Sequence, residues 1–218
     1  MGYDWYQELH HIPYGLVILE GQKLSTRTGN IIYAEDILKE AIERAFKAIM
    51  KKNPSLSNKE KVAKQVGIGA VIFHDLFNQR IKNIDFVWDE ILNFEGSTGS
   101  YVQYTYARAK SILRKCEDEI LIDEIDFSLL TEDRSYDLLK AIAEYHSAIV
   151  KAAEHYEPCM IARFLIKVSS CFNRFYHDCS ILQAEPELKT ARLALVEITR
   201  KVIRDACSLL GIECPEEM

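Results

Sequence analysis

Between Lys23 and Gly29 the chain reads Lys-Leu-Ser-Thr-Arg-Thr-Gly. Two cations, Lys23 and Arg27, and three hydroxyls, Ser25, Thr26 and Thr28, thus fall within six residues. Gly29 adjoins them and permits an unusual backbone turn. A cationic, hydroxyl-rich loop of this kind can neutralise charge on a polyphosphate during phosphoryl or nucleotidyl transfer. Taken alone, the same residues also suit a solvated surface loop.

A second constellation lies farther on. Tyr101, Tyr104, Arg108 and Lys115 recur at i, i+3, i+7 and i+14, which groups them on one face of a helix. Tyrosines interleaved with cations suit RNA, because rings stack on unpaired bases while Arg and Lys hold phosphates. The alternative is a pair of half-buried tyrosines packed on a neighbouring helix. The segment Cys159–Ile181 repeats the design: Ile161, Leu165, Val168, Phe172 and Phe175 form an apolar stripe beside the cations Arg163, Lys167 and Arg174.

Helices must position these residues. Leu16–Glu20 is a short β-prone run, but from about Tyr33 the periodicity is helical. The first helix aligns Ile37, Leu38, Ala41, Ile42, Ala45 and Ile49, with acids early and lysines late, as the helix dipole favours. Asn53–Asn58 breaks it, and Ser57 with Glu60 reads as a capping box for the next helix. Gly67 and Gly69 in that helix suggest close packing. Further helices are predicted over Thr98–Cys116, Arg134–Tyr156, Cys159–Ile181 and Pro186–Leu210, with Gly211 as a C-cap. An acidic, poorly periodic connector precedes Arg134. The fold class is therefore mainly α: a helical bundle with a short β/loop N-terminal attachment. Trp5 and Trp88 are expected in the core.

With 218 residues, 48% apolar and 28% charged, the chain is globular rather than disordered, and only 9 Gly and 5 Pro favour helices over a β-sandwich. A net charge of −6 excludes a general nucleic-acid coat protein and leaves room for a local basic face. No run is apolar enough to span a membrane, and no apolar signal core follows the N-terminus, so a cytoplasmic location is expected. Six cysteines without a C-x-x-C pair read as buried reduced thiols, with no bound metal.

The segment from Lys23 to Arg27 resembles the K-M-S-K-S signature of class I aminoacyl-tRNA synthetases. Its context, His11-Ile12-Pro13-Tyr14-Gly15-Leu16-Val17 before and Thr28-Gly29-Asn30 after, is similar to the arginyl-tRNA synthetase form. Further stretches resemble that family: Val66–Val71, Asp85–Asp89, Phe94–Gly99, Tyr101–Arg108, Ala191–Val196 and Leu209–Met218. The family's H-x-G-H tetrapeptide does not occur, nor does a nucleotide-binding βαβ stretch. The resemblance thus implies the C-terminal portion of such an enzyme: residues 1–32 a remnant of the catalytic domain, 33–95 a connecting helical segment that contacts the tRNA stem, and 96–218 the anticodon-binding bundle.

What the resemblance implies for individual residues follows. Lys23 would stabilise charge on the phosphates of ATP, and Ser25 would assist by hydrogen bonding; His11 and Gly15 belong to a segment near the adenine. Thr26 stands where the general motif has a second lysine. Tyr101, Tyr104, Arg108, Lys115, Arg163, Lys167, Tyr176 and Met218 would contact tRNA. Arg192 matches a family arginine, or forms a helix-packing salt bridge. The implied activity is arginine–tRNA ligation with ATP as substrate, accompanied by Mg in the intact enzyme, and with arginine and its tRNA as partners. The chain is expected to be monomeric, inactive alone and not membrane-bound. A free-standing tRNA-binding module without catalysis and a helical protein-interaction domain remain the alternatives.

Overall fold

The computed structural model describes residues 2–19, 22–23, 33–116 and 125–218. Its N-terminal part holds a three-stranded sheet in the order β2-β1-β3. Strand β1 (Val17–Leu19) pairs antiparallel with β2 (Gln22–Lys23), Ile18 opposite Lys23. It pairs in parallel with β3 (Ile84–Phe86), Val17 opposite Ile84. A parallel neighbour needs a long crossover, and two helices supply it: α1 (Ala34–Lys52) and α2 (Lys59–Phe77). After β3 come a short α3 (Trp88–Ile91) and then α4 (Gly99–Arg114), α5 (Asp133–Ala143), α6 (Tyr145–His155), α7 (Cys159–Asp178) and α8 (Pro186–Leu209). The fold is mainly α. No helix among the described residues is long and apolar enough to cross a membrane.

Each helix follows from local chemistry. In α1, Glu35 and Asp36 occupy the first turn and Lys51 and Lys52 the last, complementing the helix dipole. Its inward face carries Ala41, Ala45 and Ile49, all buried. It packs on α2, where Gly67 lies at the crossing: a Cβ there would come within 2.8 Å of the Ala41 carbonyl. Thr98 caps α4, its Oγ1 accepting from the Tyr101 N–H at 3.2 Å. Pro186 opens α8, and Gly211 (φ +73°) turns the chain away beyond its end. The main core forms among α4, α5, α7 and α8 around Tyr106, Leu138, Leu165, Phe172, Leu195 and Ile203. Cys159, Cys171, Cys179 and Cys207 are buried, and Cys116 and Cys214 are half-buried.

Three expectations are corrected. Arg134–Tyr156 is not one helix but two, α5 and α6, which share Glu144 as cap. The last turn of α5 tightens, with the Glu144 N–H donating to the Ala141 carbonyl, while Tyr145 is held by its stack on Phe164 (5.3 Å) and its hydroxyl bond to Asp205. The Ser57–Glu60 capping box does not form, because α2 starts one residue later than its pattern suggests and Asn58 occupies the N-cap without a side-chain bond. Trp5 is not a core residue: it is 52% exposed in a 3-10 turn (Asp4–Glu8) and stacks on Tyr3 at 5.1 Å. Trp88 is half-buried, edge-on to Phe86 and beneath the Arg44 guanidinium.

Candidate nucleic-acid interface

The groove between the end of α1, the middle of α4 and the last turns of α7 has a volume of about 630 Å³, and Met218 forms part of its wall. An adjoining hollow of about 380 Å³ shares Tyr104, Arg108 and Met218 and adds Lys115 and Tyr176. Six of the residues expected to contact tRNA, Tyr101, Tyr104, Arg108, Lys115, Tyr176 and Met218, are therefore brought together.

Arg108 is the centre of this surface. Its guanidinium lies 4.7 Å from the Tyr104 ring centroid and 4.9 Å from that of Tyr176. It donates to the Tyr104 hydroxyl at 3.1 Å and to the Asn173 side-chain oxygen. Asn173 in turn donates to Thr105 Oγ1 at 2.9 Å, and the Thr105 hydroxyl donates to the Tyr101 carbonyl. One continuous chain thus fixes a cation between two rings that remain 38% and 43% exposed. Across the groove, Lys52 Nζ lies 4.4 Å over the Phe94 ring. Among the described residues, none of Lys52, Arg108 and Lys115 is ion-paired with a carboxylate. Unneutralised cations beside half-open aromatic faces can hold phosphates and stack unpaired bases.

Arg163 and Lys167 do not join this groove. Thirteen residues of helix separate Arg163 from Tyr176 and place them about 140° apart around α7. Lys167 Nζ lies 2.6 Å from both carboxylate oxygens of Glu144, and Arg163 is exposed. Arg192 is a packing residue: only 8% exposed, it binds the Glu132 carboxylate and donates to the Ser180 carbonyl at 2.6 Å. Asn173, Lys52 and Phe94 were not singled out from sequence. Asn173 precedes Tyr176 by the same i, i+3 step that separates Tyr101 from Tyr104, and that spacing is the signal that points to it.

The second set of expected residues lies on the N-terminal segment. His11 is exposed. The Gly15 N–H donates to the Arg80 carbonyl at 2.7 Å, and a Cβ at this position would meet the Lys82 carbonyl oxygen at 2.1 Å, so only glycine fits. The Lys23 backbone pairs with Ile18; its side chain, and Ser25 entirely, lie outside the described residues. Arg80 ties this segment to the bundle. Its guanidinium donates to the Pro13 carbonyl at 2.6 Å and to the Tyr156 carbonyl at 3.0 Å, and it pairs with Glu157. Tyr156 sits at φ +53°, the left-handed turn that ends α6.

Two family models match separate parts of the chain. One described as "tRNA synthetases class I (R), catalytic domain" matches residues 1–88, and one described as "DALR anticodon binding domain" matches residues 102–218. The chain is 48% identical over its full length to the arginine–tRNA ligase of Lactobacillus johnsonii and 47% identical to that of Alkaliphilus metalliredigens. It spans 38% of the length of each. Among solved structures, it is similar to Thermus thermophilus arginyl-tRNA synthetase, with a TM-score of 0.89 and 34% identity over 96% of this chain and 35% of that one. The Plasmodium falciparum arginyl-tRNA synthetase shares the fold at a TM-score of 0.80 and 22% identity, over 95% of this chain and 35% of that one. Residues 1–88 match the class I (R) synthetase catalytic domain model, and since the anticodon-binding match alone covers more than half of its residues, the chain belongs to the DALR anticodon binding domain family.

Proposed function

We propose that this chain supplies tRNA anticodon recognition and the signature loop of an arginine–tRNA ligase, which joins arginine to its tRNA at the expense of ATP. The observation that carries the reading is Arg108, held between Tyr104 and Tyr176 at an open groove without a carboxylate partner among the described residues. The relatives bearing the name arginine–tRNA ligase support it. Tyr101, Tyr104 and Tyr176 stack on splayed bases of the anticodon loop, Arg108 and Lys115 hold its phosphates, and Met218 closes the wall. Each such stack contributes about 1–3 kcal/mol. Arg163 and Lys167, on another face of α7, meet phosphates beyond the loop.

On the N-terminal segment, Lys23 and Ser25 act on the phosphates of ATP, a substrate taken up with Mg, while His11 and Gly15 lie toward its adenine. Residues 1–32, 33–95 and 96–218 are the corresponding functional divisions: catalytic remnant, stem-contacting connector and anticodon-binding bundle. The chain acts as a monomer and by itself forms no arginyl-tRNA, since the H-x-G-H part of the ATP site is not among its residues.

Fluorescence titration of the chain with arginine tRNA and with an anticodon-swapped version, at two salt concentrations, tests the reading. Tighter binding to the arginine anticodon is expected. Equal binding to both would reduce the groove to a phosphate-binding surface, and no binding would overturn the proposal.

A further inference from the structure

Three separated stretches of sequence meet at one buried amide. Gln103 on α4 is fully buried. Its Nε2 donates to the Glu213 carbonyl at 2.7 Å and to the Gln65 carbonyl at 3.0 Å. Two acceptors on one side fix the orientation of the amide, because the flipped form would turn its oxygen toward two carbonyl oxygens. Gly69 makes room for it: a Cβ there would lie 2.6 Å from Gln103 Nε2 and 3.1 Å from Ile212 Cγ2.

The segment pinned in this way runs from Gly211 to Met218. Ile212 is buried beside Gln103, and the Gln65 side chain donates to the Glu213 carboxylate at 3.0 Å. The segment then crosses α4, where Lys110 pairs with Glu216 and Arg114 with Glu217, and arrives at Met218, packed on the Ile49–Leu56 cluster at the groove wall. The Arg114–Glu217 pair is exposed on both sides and Glu216 is mostly exposed, so these pairs hold weakly. The buried amide is the stronger attachment, since release of the segment would leave the fully buried Gln103 Nε2 without its Glu213 acceptor.

We propose that Gln103, seated against Gly69, is a positioning residue that latches the 212–218 segment and so sets the Met218 wall of the anticodon groove. This rests on the groove being the anticodon site. Gln103 touches no RNA; it acts through Met218.

The test combines Gln103→Met, which keeps the bulk and removes the donor, with Met218→Ala and the double variant. Exchange of the Ile212 N–H, which donates to the Cys207 carbonyl at 2.9 Å, reports on the latch, and the affinity ratio for arginine over anticodon-swapped tRNA reports on its consequence. In Gln103→Met, exchange of the Ile212 N–H is expected to rise by about ten-fold or more while α7 and α8 keep their protection. The anticodon ratio is expected to fall as far as in Met218→Ala, and the double variant to fall no further. Unchanged exchange in a folded Gln103→Met chain would overturn the latch, and losses that multiply would overturn its route through Met218. Should Gln103→Met fail to fold, Gly69→Ala, whose Cβ would lie 2.6 Å from Gln103 Nε2 and force that amide to move, takes its place under the same criteria. A wild-type chain that does not discriminate anticodons would sink the functional reading, and the exchange experiment would still decide the latch.

Discussion

Arg108 on α4 and Asn173 on α7 are joined by a hydrogen bond from guanidinium to amide oxygen, and this contact aims the central cation of the groove. Asn173 is itself held by Thr105, so the guanidinium is preorganised by two helices rather than by one flexible stem. A preorganised cation loses less side-chain entropy on meeting a phosphate.

Replacing Arg108 by Ala is therefore expected to weaken tRNA binding at least about ten-fold, and to reduce the salt slope of log affinity by about 0.7 for each phosphate that the guanidinium neutralises. Asn173→Ala keeps the charge and should cost less affinity while leaving the slope nearly intact. Titrations across a salt series separate the two variants. An unaltered slope in Arg108→Ala would assign the guanidinium to base stacking instead of phosphate.

Gly67→Ala sets two effects against each other. An alanine in a helix interior gains about 1 kcal/mol over glycine. The added methyl would press on the Ala41 carbonyl and the Ile42 Cα, both at 2.8 Å, and overpacking of this sort costs about 1–3 kcal/mol. Backbone atoms yield less readily than side chains, so a net loss of stability is expected in guanidinium chloride unfolding. A gain would mean that α1 slides freely along α2.

Much of this was legible in the sequence because periodicity reports burial. Ala41, Ala45 and Ile49 lie inward as their spacing requires, and Leu16–Glu20 yields a strand over Val17–Leu19. The break at Glu144 was not legible, since no Gly or Pro marks it; it depends on Phe164 and Asp205, distant partners that hold Tyr145. Trp5 reads as core by its type, yet its turn buries none of its residues. The groove was half legible: i, i+3 tyrosines can be counted on one helix, but the partnership of Arg108 with Asn173 and Tyr176 exists only once α4 meets α7.

Acid should destabilise the bundle through Glu197. Its carboxylate accepts two hydrogen bonds from the Arg200 guanidinium at 2.6 and 2.7 Å, and chiefly these hold its pKa below the ordinary value of 4.5. Lys110 does the same for Glu216. A carboxyl depressed in the folded state binds fewer protons there than when unfolded, so its contribution is fully present above the unfolded pKa and disappears as pH falls through the folded one. The melting temperature is expected to drop as pH is lowered from about 5 to about 3, and Glu197→Gln should flatten that drop. An identical acid profile in the variant would remove Glu197 from the account.

Arg80 joins the N-terminal segment to the bundle, so its loss should act on one and spare the other. Its side chain reaches Pro13, Tyr156 and Glu157, while its own carbonyl receives the Gly15 N–H. The sheet beyond Gly15 has strands of only two or three residues, too short to persist without such anchoring. Arg80→Lys keeps the charge beside Glu157 but lacks the planar fork that serves two carbonyls at once. Hydrogen exchange over 13–18 is expected to accelerate at least about ten-fold in Arg80→Ala and less in Arg80→Lys, with α7 and α8 unchanged in both. If exchange in α7 and α8 rises by the same factor, the segment and the bundle unfold as one unit, and Arg80 is a general support of the fold rather than a tether. If neither region responds, the short strands are anchored through Asn83, whose side-chain oxygen accepts the Leu16 N–H at 2.9 Å.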